Sequence, residues 1–216
     1  MSAENIYNKL RAVGMTHAGT CGVMGNLMAE SSMIANIAQR GMTKLTDKEY
    51  TDKYDNYPTT CYRDGVGYGL AQWTFWSRKQ ELFEFANAKG VSVGDEAMQI
   101  DFVVHELRKD FPNLFSFLCT TEDMYAATDR VCREFENPAV KNVDRRFEFA
   151  QVFDRDFADD KPIIVPQPEA QYFPPDQSIL VLQAVLVANG YNTEITGYKS
   201  AHFLQTLREF VKDIGG

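Results

Sequence analysis

The chain has 216 residues, 44% hydrophobic and 24% charged, enough to bury one good core and a small second one. It contains no run of about 18 uncharged apolar residues, so no membrane insertion is expected, and an aromatic content of 12% argues against a disordered chain. A formal net charge of -8 has the wrong sign for a nucleic-acid-binding face, and a neutral or sugar-like partner fits better.

Ile6, Leu10 and Val13 stripe a first helix that stops at Gly14. A second helix, from about His17 to Ala29, carries Ala18, Gly19, Gly22, Gly25 and Ala29, far more small residues than helix propensity favours, so another element must approach it closely. It runs straight into Glu30, Ser31 and Ser32. Thr46-Asp47-Lys48-Glu49 has capping-box spacing and opens a short helix. From about Thr59 to Trp73 the pattern changes. Asp64-Gly65 is a turn dipeptide between Cys61-Tyr62 and Gly67-Tyr68-Gly69-Leu70, which predicts a small β-hairpin.

Three further helical stripes follow: Ala97, Ile100, Val104 and Leu107; then Met124, Ala127, Val131 and Phe135; then Val143, Phe147, Ala150, Phe153 and Phe157. Between Asp159 and Pro175, Pro162, Pro166, Pro168, Pro174 and Pro175 predict an extended linker. Beyond it Asp176-Gln177-Ser178 caps a helix with Leu182, Val185 and Leu186 on one face, ending at Asn189-Gly190-Tyr191, and a last helix from Ser200 carries Phe203, Leu207, Phe210 and Ile214. The expected organisation is an α+β, mainly helical domain over 1–158 with one short hairpin, a linker over 159–175, and a small helical module over 176–216.

Candidate chemistry centres on Glu30. A carboxyl at the C-terminal end of a tightly packed helix, among Met24, Leu27 and Met28, faces the negative end of the helix dipole and apolar neighbours, which both disfavour ionisation. A carboxyl that keeps its proton suits a general acid. In Gly67-Tyr68-Gly69-Leu70-Ala71-Gln72-Trp73-Thr74, alternate glycines admit close approach, Gln72 offers an amide, and Tyr68 and Trp73 offer flat faces for a sugar ring. The four cysteines, Cys21, Cys61, Cys119 and Cys132, are far apart and are read as free thiols. The histidines, His17, His105 and His202, are scattered, so no metal site and no Cys-His amidase is expected. Met1-Ser2-Ala3-Glu4-Asn5 lacks the basic start and apolar stretch of a secretory signal, and retention in the cytosol is expected.

Gly22-Val23-Met24-Gly25-Asn26-Leu27-Met28-Ala29-Glu30-Ser31, then Gly67 to Thr74 and Ser77-Arg78-Lys79-Gln80, resemble the phage tail lysozyme family of bacteriophage cell-wall hydrolases over about residues 5–155. More distantly, the Glu-Ser pair and the Gly-Leu-x-Gln run look like goose-type lysozymes and lytic transglycosylases. The resemblance implies a lysozyme-like fold, no cofactor, and a monomer acting on bacterial peptidoglycan. It makes Glu30 the acid that protonates the leaving glycosidic oxygen and Gln72 a cleft residue, with Ser31, Tyr68 and Trp73 beside the substrate. Asp64, eight residues before Gln72, matches the aspartate that positions the attacking water, or is simply a turn residue; the second goose-type aspartate is replaced by Thr74. Phe135-Glu136-Asn137-Pro138 resembles a further family motif and places Glu136 at a helix end, facing the cleft or pairing with Arg145 or Arg146.

The segment from Leu182-Gln183 to Phe210 is similar to a three-helix peptidoglycan-binding domain, with its loop reduced to Thr196-Gly197-Tyr198. The implied activity is an endolysin cleaving β-1,4 bonds of peptidoglycan, held in the host cytosol before lysis. A lytic transglycosylase or glucosaminidase on the same polymer, and a non-catalytic wall-binding virion protein, are the alternatives.

Overall fold

A computed structural model describes residues 3–158 together with Leu186, Gly190, Tyr191, Phe210 and Lys212. The first half of the main domain comprises α1 (Ala3–Ala12), α2 (His17–Ser31), α3 (Asp47–Asn56), α4 (Thr59–Tyr62) and α5 (Trp76–Lys89). Then come α6 (Glu96–Lys109), α7 (Pro112–Leu118), α8 (Met124–Arg130), a π-helical turn (Val131–Glu136) and α9 (Val143–Asp156).

The helix α2 is the axis of the domain, buried along nearly its whole length and packed against α9 and α8, with α1 and α7 beside it. Its small residues explain how. A Cβ added to Gly19 would stand 2.2 Å from the Leu118 carbonyl oxygen, one on Gly22 2.7 Å from the Ala127 Cβ, and one on Gly25 2.5 Å from the Arg146 carbonyl oxygen. Backbones of α7, α8 and α9 therefore touch this helix directly, as the stripe predicts. At its start the Thr16 hydroxyl oxygen accepts the Gly19 N–H at 2.9 Å, capping one orphan donor. At its end Ser32 turns left-handed, φ 53°, and sends its N–H to the Met28 carbonyl. The capping box at Thr46 forms as predicted and opens α3.

The expected β-hairpin does not form, and no sheet exists among the described residues. Cys61 and Tyr62 belong to the short α4, and Tyr68 makes two isolated antiparallel bridges, to Ala38 and to Trp73. The reason lies in the backbone between them. Gly69 at φ 75° and Gln72 at φ 45° leave the extended region, so the chain turns back on itself after only one residue of strand. The buried Gln99 amide ties this turn down: its Oε1 accepts the Leu70 N–H at 2.9 Å, and its Nε2 donates to the Ala35 and Val93 carbonyls. Gly69 has no Cβ to obstruct that amide, whose Oε1 would otherwise lie 2.6 Å away.

Two helices that periodicity did not reveal are α5 and α7. Pro112 at the first position of α7 is a start signal of the ordinary kind. In α5 the pattern is masked because a lysine, Lys79, occupies a core position. The single stripe from Met124 to Phe135 is in fact α8 followed by the π-helical turn, closed by Asn137 in a left-handed conformation whose N–H reaches the Cys132 carbonyl at 2.9 Å.

The chain divides into two compact units, Met1–Ile163 and Ile164–Gly216. In the second unit Leu186 is buried with Tyr191 and Phe210 packed against it, the two rings 5.5 Å apart and edge-on. The proline-rich segment and the remaining tail stripe residues lie outside the described residues.

Candidate active site

Close packing at Gly25 sets the first turn of α9 against the end of α2, and this brings Arg146 to Glu30. The Arg146 guanidinium is 8% exposed and donates to Glu30 Oε1 at 2.5 Å, to Asn26 Oδ1 at 3.1 Å and to the Lys141 carbonyl at 3.2 Å. Asn26 and Glu30 are one helical turn apart on α2, so a single guanidinium spans both. The expectation that Glu30 has only apolar neighbours is thereby corrected, since its partner is a buried cation 116 residues away in sequence.

Glu30 lines a cleft of about 850 Å³ together with Gln72, Thr74, Phe75, Arg40, Arg78, Glu134 and Glu136. Gln72 donates from its amide nitrogen to the Gly69 carbonyl at 2.9 Å and more weakly to that of Ile37 at 3.4 Å. Glu136 is only partly buried as a residue, yet its Oε1 is sealed from solvent and has no hydrogen-bond partner. Its pKa is pushed well above the ordinary glutamate value, first by burial and next by the nearby Glu30 charge; Arg78 and Arg146 pull the other way.

A buried polar relay positions Glu136. Glu106, 1% exposed, accepts the Trp73 indole N–H at 2.7 Å and two guanidinium bonds from Arg78 at 2.7 and 2.9 Å. Arg78 in turn lies 4.7 Å over the Phe135 ring and donates to the Phe135 carbonyl at 3.3 Å. It thus grips the π-helical turn one residue before Glu136. A π-helical turn inserts a residue into the ladder and re-aims the side chains that follow, a recurrent feature of functional sites.

Of the residues singled out in the sequence, Glu30, Gln72 and Glu136 come together on the cleft. Asp64, Ser31, Tyr68 and Trp73 do not line it, and each is otherwise engaged. Asp64 Oδ1 accepts from Lys79 Nζ at 2.8 Å and from the Val66 N–H at 3.0 Å, while Oδ2 accepts from the Tyr50 hydroxyl at 2.9 Å. Lys79 is wholly buried, and its Nζ also donates to Tyr50 and the Val66 carbonyl. Burial lowers the Lys79 pKa against the opposing pull of Asp64. The Ser31 hydroxyl is buried and donates back to the Leu27 carbonyl. Tyr68 and Trp73, both 0% exposed, present no face to a ligand: the Tyr68 hydroxyl meets Thr51 at 2.6 Å and the Trp73 indole is spent on Glu106. Instead the uncovered aromatic ring of the cleft is Phe75.

Carboxyls in unlike surroundings, an amide and an aromatic ring around one open cleft make a site of the lysozyme type. The chain belongs to the phage tail lysozyme family, whose model matches residues 1–157. No curated protein matches the chain in sequence. Membership supports a lysozyme-like action with peptidoglycan as substrate. Among the described residues no helix is long and apolar enough to cross a membrane.

Proposed function

We propose that the protein is an endolysin that cleaves the β-1,4 glycosidic bonds of bacterial peptidoglycan in the manner of a muramidase, with Glu30 as the acid that protonates the leaving oxygen. The observation that carries this reading is the meeting of Glu30 and Glu136 on one cleft, with Arg146 bonded to the first and burial raising the pKa of the second. Glu30, at the end of a rigid helix, is the carboxyl placed to reach the leaving oxygen, and Glu136 shares its cleft. Gln72, its amide nitrogen already engaged, offers its carbonyl oxygen to a sugar hydroxyl. The protein is held in the host cytosol before lysis, and the module over 176–216 tethers it to the wall, raising local substrate concentration.

A second reading has a specific observation in its favour. Hydrolysis with inversion needs a free carboxylate to activate water, and Asp64 is spent on Lys79 and Tyr50. Burial raises the Glu136 pKa and so disfavours the charged form that a base needs, and Glu134 is bonded to Arg130. A site with one working carboxylate suits lytic transglycosylation, in which Glu30 serves as acid and then as base while the sugar's own hydroxyl closes an anhydro ring.

Turbidity loss of purified cell walls tests the common reading. The native protein should clear them, and Glu30→Gln should lower the rate about 10²–10⁴-fold with the fold kept, because an amide cannot donate the proton. Retained clearing by that variant would remove Glu30 from its role, and failure of the native protein to clear walls it sediments with would leave a binder. Mass spectrometry of the released fragments then separates reducing ends from anhydro products.

A further inference from the structure

We propose that Phe75 and Trp76 form an aromatic shelf at the mouth of the cleft, on which a pyranose ring of the glycan strand stacks next to the sugar held at Glu30. The inference rests on the glycan-cleaving reading and adds to it residues that neither the motifs nor the reacting groups supply. Phe75 caps the start of α5 and lines the cleft; Trp76 is the first residue of that helix, its ring 6.2 Å from that of Phe75. Trp76 does not itself line the cleft, and the ring separation places it beside Phe75, which does.

Both are left in solvent. Phe75 is 62% exposed and Trp76 40%, in a chain whose other tryptophan, Trp73, is completely buried. Two adjacent uncovered aromatics at the start of a helix are costly to hydrate, and such a patch marks a place where something binds. Arg63, an exposed residue at the end of α4, lies 4.7 Å over the Trp76 ring in a cation–π contact. The occupant follows from continuity. Phe75 borders the same cleft as Glu30 and Gln72, and a polymer threaded through that cleft must pass over its rim. Amino-sugar rings present apolar C–H faces to an aromatic plane and hydroxyls to a neighbouring guanidinium, which Phe75, Trp76 and Arg63 together offer.

Because Trp73 is sealed in the core, a change in indole emission on adding glycan reports on Trp76. The full chain is titrated with a β-1,4-linked N-acetylglucosamine tetramer, following emission and, in parallel, heat of binding. The tetramer should shift or quench the emission of the native protein. Trp76→Ala and Phe75→Ala should each weaken binding by about three- to tenfold, and Trp76→Phe should restore most of it. Neither ring is part of the buried core, and unchanged circular dichroism verifies that the variants fold.

Heat of binding without any change in emission, or Trp76→Ala binding as tightly as the native protein, would overturn the shelf while leaving the glycosidase reading in place. Emission that changes with protein concentration instead of with tetramer would assign the patch to contact between copies and overturn it too. If the tetramer does not bind and walls are not cleared, the glycosidase reading fails first and the shelf falls with it; walls cleared without tetramer binding would overturn the shelf alone.

Discussion

Arg146 and Glu30 form the ion pair on which the candidate site is built, although α9 and α2 supply them from positions 116 residues apart in sequence. Both side chains are largely buried, 8% and 17% exposed, and the guanidinium is further satisfied by Asn26 and the Lys141 carbonyl. A partner for each guanidinium nitrogen is what makes this buried charge tolerable. The pair exists because glycine at position 25 lets the α9 backbone come within contact of α2.

Gly25→Ala therefore tests packing and site together. The new Cβ would stand 2.5 Å from the Arg146 carbonyl oxygen and 2.9 Å from the Ala150 Cβ and backbone nitrogen, so α9 must retreat. Urea denaturation should show a loss of about 1–3 kcal/mol, and wall clearing per folded molecule should fall as well, because Arg146 moves away from Glu30. Equal stability and activity would mean that α9 adjusts without disturbing the pair.

Asp64→Asn should act on stability and leave chemistry alone. It removes the carboxylate bonded to the fully buried Lys79, leaving that ammonium with Tyr50 and the Val66 carbonyl. The expected cost is about 3 kcal/mol, read from urea melts, with specific activity of the folded fraction within about twofold of native. A collapse of activity in a fully stable variant would return Asp64 to the reaction.

The Glu136 carboxyl makes stability depend on pH in a stated direction. Its pKa is raised in the folded protein above the ordinary 4.5, so the folded state holds a proton that the unfolded chain releases. That contribution is fully present below about pH 4.5 and is lost as pH rises through the folded pKa. Denaturation of native protein and Glu136→Gln between pH 4.5 and 8 should show the native protein losing stability relative to the variant as pH increases. The opposite slope would mean the carboxyl is charged in the folded state.

Truncation after Asp160 should leave a soluble, active unit. The core that runs from Ile6 to Phe153 is assembled from residues before that point, and the family match ends at residue 157. Gel filtration should show a monomer that still cleaves short glycan fragments, and sedimentation with cell walls should weaken. Aggregation of the truncated chain would argue that the tail covers an apolar face of the first unit.

Residue order alone settles whatever depends on neighbours within one helical turn. The capping box at Thr46 holds because both of its partners lie three residues apart, and the glycine stripe of α2 announces a close approach because small residues leave room whatever arrives. Glu30 is legible for the same reason, as the residue at which that stripe ends. The identity of each partner is settled only when the chain folds. Nothing local says that Arg146 answers Glu30, that Lys79 is the buried cation claiming Asp64, or that Trp73 turns inward to Glu106 while Phe75, two residues on, stays in solvent. The inward turn follows from Gly69 and Gln72 adopting left-handed backbone under the clasp of Gln99, 27 residues beyond Gln72. Likewise the π-helical turn that presents Glu136 hides inside an uninterrupted apolar stripe, since one inserted residue changes the direction of a side chain without changing the residues' order. Periodicity and caps are written in short-range spacing; buried charge pairs are chosen by which side chains meet when the helices close, and that choice is made across 15 to 116 residues.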